Sequence, residues 1–190
     1  MIEAFSGIFT AFGLSASAGL NAYLPLLVVA LLARFTSLIT LNPPYHHLTS
    51  GWVILVITGL LIVELFADRI AVVDTANDIV QTFVRPAAGA VLFAASASVI
   101  SDVHPVLALI CGLIVAGGVH ATKATVRPVV TGTSGGLLNP VVSTAEDVTS
   151  LTLTLLSVLV PLVTGVLLGS ALVVLVWWLV ARRRRREAAA

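Results

Sequence analysis

Long apolar runs alternate with short polar segments along this chain, and the runs approach the length of membrane-spanning helices. A helix that rises ~1.5 Å per residue needs about 20 apolar residues to cross the hydrocarbon core of a bilayer. The runs cover residues 5–33, 52–67, 86–100, 105–119 and 148–180. The pattern predicts an all-α fold: a polytopic transmembrane helical bundle of about five spans with broken or re-entrant segments.

Three places favour a break in these helices. The first run has a soft centre at 13–21, rich in glycine and serine. Residues 131–140 are too polar and too rich in glycine for an ordinary span, which predicts a re-entrant or broken element. Residues 148–180 would measure about 50 Å as one helix, so we expect Pro161 and Gly165 to divide them.

The segment 68–85 has a different character, because polar and apolar residues occupy opposite faces of a helix. Its polar members are Asp74, Asn77, Asp78, Gln81, Thr82 and Arg85. A basic stripe of His120, Lys123 and Arg127 follows later at spacings of three and four residues. We expect 68–85 to form an amphipathic helix, with Pro86 beginning the next apolar run.

The composition is that of a membrane protein. The 190 residues are 58% hydrophobic and 10% charged, which leaves too few polar groups to cover a soluble domain. Five of the ten basic residues form one block, Arg182 to Arg186. We expect a single transmembrane domain at 1–181 and a basic tail at 182–190, which the positive-inside rule places in the cytoplasm.

Short similarities within the chain indicate a weak internal repeat. Residues 82–86 resemble 125–128, and residues 17–21 resemble 134–139. Many transporters consist of inverted repeats with the binding site between them. The repeat therefore predicts two pseudo-symmetric halves around a central site.

Two pairs of acidic side chains, each with a spacing of four residues, form the first candidate site. They are Glu64, Asp68, Asp74 and Asp78. Such carboxylates suit Na⁺, Mg²⁺ or Ca²⁺, or the uptake and release of protons. Two other interpretations stay open: the helix at 68–85 lies at the membrane surface with its acids in water, or the acids form structural pairs with Arg85, Lys123 and Arg127.

Basic, amide and further acidic side chains complete the candidate site. They are Lys123, Arg127, Asn21, Asn139, Glu146 and Asp147. The two bases could hold an anionic substrate together with helix N-termini. The two asparagines either contact substrate or cap half-helices. The two acids either join the site or are first-turn acids that favour the helix dipole.

Three motifs carry a resemblance to a known family. Residues 13–25 read GLSASAGLNAYLP, residues 67–78 read ADRIAVVDTAND, and residues 82–90 read TFVRPAAGA. They resemble an integral-membrane family catalogued as domain of unknown function family 4126, with alanine at position 71 where that family's acidic motif has proline. The resemblance implies a bacterial inner-membrane protein, and it implies no activity or substrate.

The expected function is membrane transport, by a channel or ion-coupled carrier for an ion or small solute with an intramembrane polar site. The alternatives are a lipid-handling protein (a flippase, scramblase or lipid-phosphate enzyme) and a structural partner. The chain lacks HExxH and Walker A motifs and has no cysteine cluster, so we assign no catalytic residue and expect no enzyme. The expected partners are the bilayer and the unknown ion or solute, without nucleic acid. The sequence is compatible with a homo-oligomer and a bound Na⁺, Mg²⁺ or Ca²⁺, and indicates no other cofactor.

Overall fold

The computed structural model describes residues 2–68, 71–97 and 104–187, and this part of the chain is helical almost throughout. Its α-helices are α1 (Ile2–Leu20), α2 (Tyr23–Phe35), α3 (Gly51–Ala67), α4 (Ala71–Ala97), α5 (Pro105–Ser134), α6 (Asn139–Leu159) and α7 (Pro161–Glu187). A short 3₁₀ helix, Tyr45–Thr49, precedes α3. No strand occurs in the described ranges, so the predicted all-α fold is confirmed.

Four of the described helices are long and apolar enough to cross a membrane. The qualifying segments are Asn77–Ser96, Pro105–Ser134, Asn139–Leu159 and Pro161–Trp178. The helices α1, α2 and α3 are apolar but shorter. The chain is therefore a polytopic membrane protein, with four long helices and three short ones where about five spans were predicted.

The centre of the bundle is built from α1, α4 and α5, which pack through small residues. The buried core includes Ala18, Ala88 and Ala116. A Cβ atom added to Gly89 would lie 2.3 Å from the Cβ of Ala116, and one added to Gly112 would lie 2.4 Å from the carbonyl oxygen of Gly89. Helices in membranes associate closely where small residues let the backbones approach. Alanine and glycine in the run 86–100 therefore form the α4–α5 contact.

The first apolar run forms a helical hairpin, because α1 ends at Leu20 and α2 begins at Tyr23. The chain that follows α2 returns to the middle of α1, where Ile39 packs against the cluster that contains Leu14. The predicted break within 5–33 is thus present. It reverses the chain inside the bundle, so that α2 leads back toward the side from which α1 enters.

Two proline residues lie inside helices, at or near positions where the sequence predicts a boundary between elements. Pro86 was expected to begin a new run, yet α4 continues through it from Ala71 to Ala97. The run ending near Val119 continues through Pro128 to Ser134 as α5. Both predicted boundaries were wrong. A proline ring disrupts the helix locally, and here the packing of α4 against α5 outweighs that cost.

The glycine-rich segment 131–140 contains the predicted break, in the form of a tight turn between α5 and α6. Gly135 and Gly136 have φ angles of 61° and 84°, in the left-handed region that favours glycine. The N–H groups of both glycines point to the carbonyl oxygen of Thr131, which closes the end of α5. The turn is largely exposed, with Leu137 84% accessible. It connects two long helices and does not form a buried re-entrant element.

The last apolar run divides at Pro161, as predicted. α6 ends at Leu159 and α7 begins at Pro161. The first part is longer than the expected half-helix, because α6 starts at Asn139 and has 21 residues.

Candidate functional site

Charged side chains from four helices meet inside the bundle. We call this group the ionic cluster; its members are Glu64 and Asp68 at the end of α3, Asp78 and Arg85 on α4, Lys123 and Arg127 on α5, and Glu146 on α6. Arg85 is fully buried, and the other two bases are at most 6% exposed. The polar faces of α4 and α5 therefore point toward each other, away from the surface.

Asp68 lies at the centre of the ionic cluster. Its Oδ2 atom is 3.7 Å from Arg85, 3.6 Å from Lys123 and 3.7 Å from Arg127. Charge-assisted hydrogen bonds are typically about 2.7–2.9 Å long. Three positive groups thus surround one carboxylate oxygen without a direct hydrogen bond from any of them. Its other oxygen, Oδ1, accepts a hydrogen bond of 3.0 Å from Asn77.

Each base of the ionic cluster has a closer polar contact elsewhere. Arg85 donates to Oε1 of Glu64 at 3.0 Å. Lys123 is 2.9 Å from Oε2 of Glu146. Arg127 donates to the hydroxyl group of Ser143 at 2.6 Å. The bases therefore make their closest contacts with α3 and α6. Their interaction with Asp68 is electrostatic attraction at a longer distance.

Four carboxylates face three bases in the described cluster, which leaves one excess negative charge when all are ionised. Four buried carboxylate or amide oxygens lack a hydrogen-bond partner among the described residues. Oδ1 of Asp78 and Oε2 of Glu146 each lie within 4 Å of a base, and the other two are Oε2 of Glu64 and Oε1 of Gln81. Both side chains are 1% exposed. Buried polar atoms are nearly always paired. The oxygens of Glu64 and Gln81 therefore favour a hydrogen-bond donor or a cation, while the equally unpartnered Nε of Arg85 favours an acceptor.

The tip of the α1–α2 hairpin touches the ionic cluster. Lys123 donates to the carbonyl oxygen of Leu20, the last residue of α1, at 3.2 Å. The carbonyl groups at a helix C-terminus have no partner within the helix and attract cations. Asn21 completes the tip: its Oδ1 accepts from the N–H groups of Tyr23 and Leu24, and its Nδ2 donates to Asp147 at 2.9 Å.

A buried polar stripe continues from the ionic cluster along α6. It consists of Asn139, Ser143, Ser150, Thr154 and Ser157, with Glu146 and Asp147 partly buried between them. The opposite face carries exposed Leu151, Leu155 and Leu159. This arrangement is the reverse of a helix in a soluble protein, and it suits a helix with lipid outside and polar partners inside.

The part of this stripe nearest the C-terminal end of α6 packs against α1 through hydroxyl groups. Ser17 contacts Thr154 at 2.6 Å and Ser150 at 2.9 Å, and all three side chains are fully buried. Thr10 donates to the carbonyl oxygen of Ser157 at 2.8 Å. We call these five residues the hydroxyl seam.

A cavity of about 330 Å³ lies at the far end of the hydroxyl seam, on the side where α1 begins. Its polar lining residues are Ser6, Thr10, Thr40 and Ser96. No charged residue is among those that line it. The seam therefore begins beside a neutral cavity, and its α6 residues lie on the same helix as Glu146 of the ionic cluster.

A comparison with known families decides which family this fold represents. A family profile described as Domain of unknown function (DUF4126) matches residues 8–182. The chain belongs to that family. No curated protein and no solved structure matches the chain. The function of this DUF4126 member is therefore inferred from the geometry of its site.

The structure brings most of the predicted site residues of this DUF4126 chain together. The charged candidates Glu64, Asp68, Asp78, Arg85, Lys123, Arg127 and Glu146 form the ionic cluster, and Asn21 and Asp147 adjoin it. Asn139 instead accepts from Thr131 beside the exposed turn. The side chain of Asp74 lies outside the described residues.

Two of the alternatives for these residues were wrong. α6 starts at Asn139 and has no acid in its first turn, so Glu146 and Asp147 are not first-turn acids. In the described part of the α4 stripe, Gln81 and Arg85 are 1% and 0% exposed and Asp78 is partly buried, whereas Thr82 is exposed. The buried members face the bundle and not water at the membrane surface. The third alternative, a purely structural set of ion pairs, stays open.

Sequence reasoning missed several polar residues of the site. The sequence places His120 in the basic stripe but not among the candidate site residues. In the structure it lies between Thr82 and Arg85, with ring nitrogens 3.2 Å and 3.1 Å from their side chains. Ser150, Thr154 and Ser157 were hidden in a run that contains no charge. Their spacing of three and four residues, continued from Ser143, was the signal that could have identified them.

The described residues contain no group of three or more histidine, cysteine, aspartate or glutamate side chains arranged to hold a metal ion. The carboxylates of the ionic cluster are interleaved with bases. The expected Na⁺, Mg²⁺ or Ca²⁺ therefore stays a prediction.

Proposed function

We propose that this chain is an ion-transport protein, a channel or an ion-coupled carrier, whose ion-handling site is the ionic cluster. The observation that carries the proposal is the position of Asp68, within 3.6–3.7 Å of three buried bases inside a bundle of membrane-spanning helices. Charged residues in such a bundle are rare, and typically mark ion or proton pathways.

Stability alone gives little reason for this arrangement. Removing charges from water is costly, and replacing a buried ion pair by well-packed apolar residues is often neutral or stabilising. The nitrogen atoms of the bases lie 3.6–3.9 Å from the carboxylate oxygens of Asp68 and Asp78. These distances are too long for a strong direct hydrogen bond. A cluster of this kind suits groups that change charge or partner during a transport cycle.

The hairpin tip supports the same function. In many transporters, helices break near the middle of the membrane, so that their ends face the transported ion. Here α1 ends at Leu20, whose carbonyl oxygen is held by Lys123. The break therefore directs a helix end and an asparagine side chain toward the ionic cluster.

The charge balance favours a cation over an anion as the transported species. Each base already contacts a carboxylate, and the described cluster has one carboxylate in excess. An anion would have to displace carboxylates from Lys123 and Arg127. Enclosure also favours transport over lipid handling, because Glu64, Asp68 and Arg85 are at most 2% exposed and no lipid head group reaches them without a large opening.

For location, we propose the bacterial inner membrane, with the basic tail at 182–190 in the cytoplasm. The family resemblance supports the first point, and the positive-inside rule supports the second. Fusion of a reporter to the C-terminus tests the orientation. A tail that is accessible only from outside the cell would contradict it.

The test of function is ion flux in liposomes that contain the purified protein. Parallel batches carry dyes that report H⁺, Na⁺, K⁺ or Cl⁻. We expect cation flux above that of protein-free vesicles, reduced about tenfold or more in Asp68→Asn, which removes the central charge and keeps the size. Glu3→Gln, the same chemical change near the start of α1, is the control and should leave the flux unchanged.

Two results would contradict the proposal. One is a cation flux that is equal in the wild-type protein and in Asp68→Asn. The other is translocation of a fluorescent lipid by the same vesicles without any ion flux, which would indicate the lipid-handling alternative.

A further inference from the structure

The end of α7 combines two exposed tryptophans with the basic residues Arg182–Arg186, which we call the arginine block. We propose that this end of the helix, residues 177–186, binds the head groups of anionic phospholipids. The inference concerns a second surface of the protein. It does not involve the ionic cluster and does not depend on the proposed transport function.

The first turns of α7 pack against α1, and the rest of the helix leaves the bundle. Thr164 is fully buried, and a Cβ atom added to Gly165 would lie 2.6 Å from the ring of Phe9. From Gly169 to Val180, by contrast, every residue whose burial is described is exposed. Apart from one serine, these residues are apolar or aromatic, so the acyl chains of lipids surround this half of the helix in a membrane.

The two tryptophans mark the level at which α7 leaves the hydrocarbon. Trp177 and Trp178 are 70% and 49% exposed. Tryptophan is enriched at the membrane–water interface because its ring is amphipathic. Residues 161–181 also form about 30 Å of helix, which is the thickness of the hydrocarbon core. Composition and length therefore place the boundary of the hydrocarbon at the same level, next to Arg182.

The arginine block begins directly beyond this boundary. The backbone stays helical through the block and α7 ends at Glu187. Five helical residues extend about 7.5 Å along the axis. The head-group layer on each side of the hydrocarbon is about 5–8 Å thick. The backbone of the block therefore passes through the layer that contains the lipid phosphates.

The positive charge of this segment is not balanced within α7. The sequence contains no acidic residue between Asp147 and Glu187, so the five arginines and one glutamate leave four positive charges in excess. Guanidinium groups bind phosphate oxygens through two parallel hydrogen bonds. Basic clusters immediately beyond a membrane-spanning helix are attracted to anionic lipids. A zwitterionic head group carries a cation beside its phosphate, so the anionic lipid is the favoured partner.

The chain has three tryptophans, which permits a local test of lipid binding. Trp52→Phe leaves Trp177 and Trp178 as reporters at the end of α7. The protein is placed in vesicles of phosphatidylcholine and phosphatidylglycerol in a fixed ratio. Equal molar amounts of lipid carry bromine near the head group, on phosphatidylglycerol in one batch and on phosphatidylcholine in the other. Bromine quenches the fluorescence of nearby tryptophan, so the two batches give the relative affinity of the two lipids.

We expect phosphatidylglycerol to be favoured around Trp177 and Trp178 by about fivefold or more, the ratio for the attraction of one base near an anionic surface. The variant with all five substitutions from Arg182→Gln to Arg186→Gln should lose this preference. The matched variant from Arg182→Lys to Arg186→Lys keeps the charge and should retain most of it. Raised salt should also reduce the preference in the unsubstituted block, because exposed charges are screened. This salt series decides if the glutamine variant fails to insert.

Trp52 supplies the control for the position of the effect. In the variant with Trp177→Phe and Trp178→Phe it is the single remaining tryptophan, and it is 79% exposed at the start of α3. The preference for phosphatidylglycerol should be smaller there, and should not change with the glutamine substitutions.

Four results would overturn the proposal. Equal quenching by the two lipids at Trp177 and Trp178 would leave the arginine block for a soluble acidic partner. A preference that survives the glutamine substitutions would have another origin. An equally strong preference at Trp52 would indicate a general attraction of anionic lipid to the protein. A greater loss of preference in inorganic phosphate than in chloride of equal ionic strength would show that the block binds free phosphate. Ion flux enters none of these results, so the proposed function stands or falls separately.

Discussion

Two of the helix breaks in the described part of this protein have similar sequences and different surroundings. One follows Ser17 and ends at Asn21, and the other follows Ser134 and ends at Asn139. The first is the buried tip of the α1–α2 hairpin, where Lys123 holds the last carbonyl group of α1. The second is an exposed turn between α5 and α6, closed by two glycines with positive φ. Glycine and serine therefore indicate where a helix ends, but not whether that end lies at a site.

The difference arises from the path of the chain on either side of each break. Beyond Asn21 the short helix α2 turns back into the protein, so the break must satisfy its polar groups with protein partners. Beyond Asn139 the long helix α6 crosses the bundle, so its turn lies at the surface. A break at a site should be sensitive to charge and packing, and a break at the surface should be sensitive only to backbone conformation.

The largest effect on stability is expected for Lys123→Met, at the buried break. This change removes the partner of the Leu20 carbonyl group and leaves Glu146 and Asp68 with less positive charge nearby. Loss of one member of a buried ion pair costs about 3–5 kcal/mol. The free energy of unfolding in detergent, measured by denaturant titration, checks this value. Thr125→Met, on an exposed position of the same helix, is the control, and an equal loss there would contradict the comparison.

A somewhat smaller effect is expected for Gly19→Ala, beside the same break. The added Cβ atom would lie 2.6 Å from the carbonyl oxygen of Ala116 and 2.6 Å from the Cβ of Val119. Both are parts of α5 that cannot rotate away, so α1 must shift. Overpacking of this kind costs about 1–3 kcal/mol. The same titration measures the loss, and an unchanged midpoint would show that α1 does not approach α5 so closely.

The smallest effect is expected for Gly135→Ala, at the exposed break. Nothing lies within 4 Å of the added Cβ atom, and only the φ angle of 61° opposes the change. A left-handed conformation costs an L-residue about 1–2 kcal/mol. Gly132→Ala, also in open space but inside α5, should instead raise the free energy of unfolding by about 0.5–1 kcal/mol. A loss at Gly132 as large as at Gly135 would contradict a purely conformational role for the turn.

The sequence predicts the membrane bundle well, because hydrophobic length is a local property. It also identifies the charged members of the ionic cluster, since charges inside apolar runs are rare. It does not predict that α4 continues through Pro86, because the compensating contacts with α5 come from residues far away in the chain. The predicted internal repeat stays untested.

The hydroxyl seam shows a different limit of sequence reasoning. Residues 148–180 form an apolar run without charge, and the three residues of the hydroxyl seam on α6 have little effect on its average hydropathy. Helices in lipid tolerate serine and threonine where a neighbouring helix supplies partners. The contacts with Ser17 on α1 show that Ser150 and Thr154 face the interior.

One measurement tests most directly whether the buried break, and not the exposed one, belongs to the proposed transport site. Asn21→Asp keeps the oxygen that caps α2, but replaces the donor to Asp147 by a second negative charge. Asn139→Asp makes the same change beside the exposed turn, where the Oδ1 atom accepts from Thr131. Ion flux in proteoliposomes should fall by about tenfold or more in Asn21→Asp, with the fold intact, and stay unchanged in Asn139→Asp. Equal fluxes in the two variants, or a loss only in Asn139→Asp, would contradict this account.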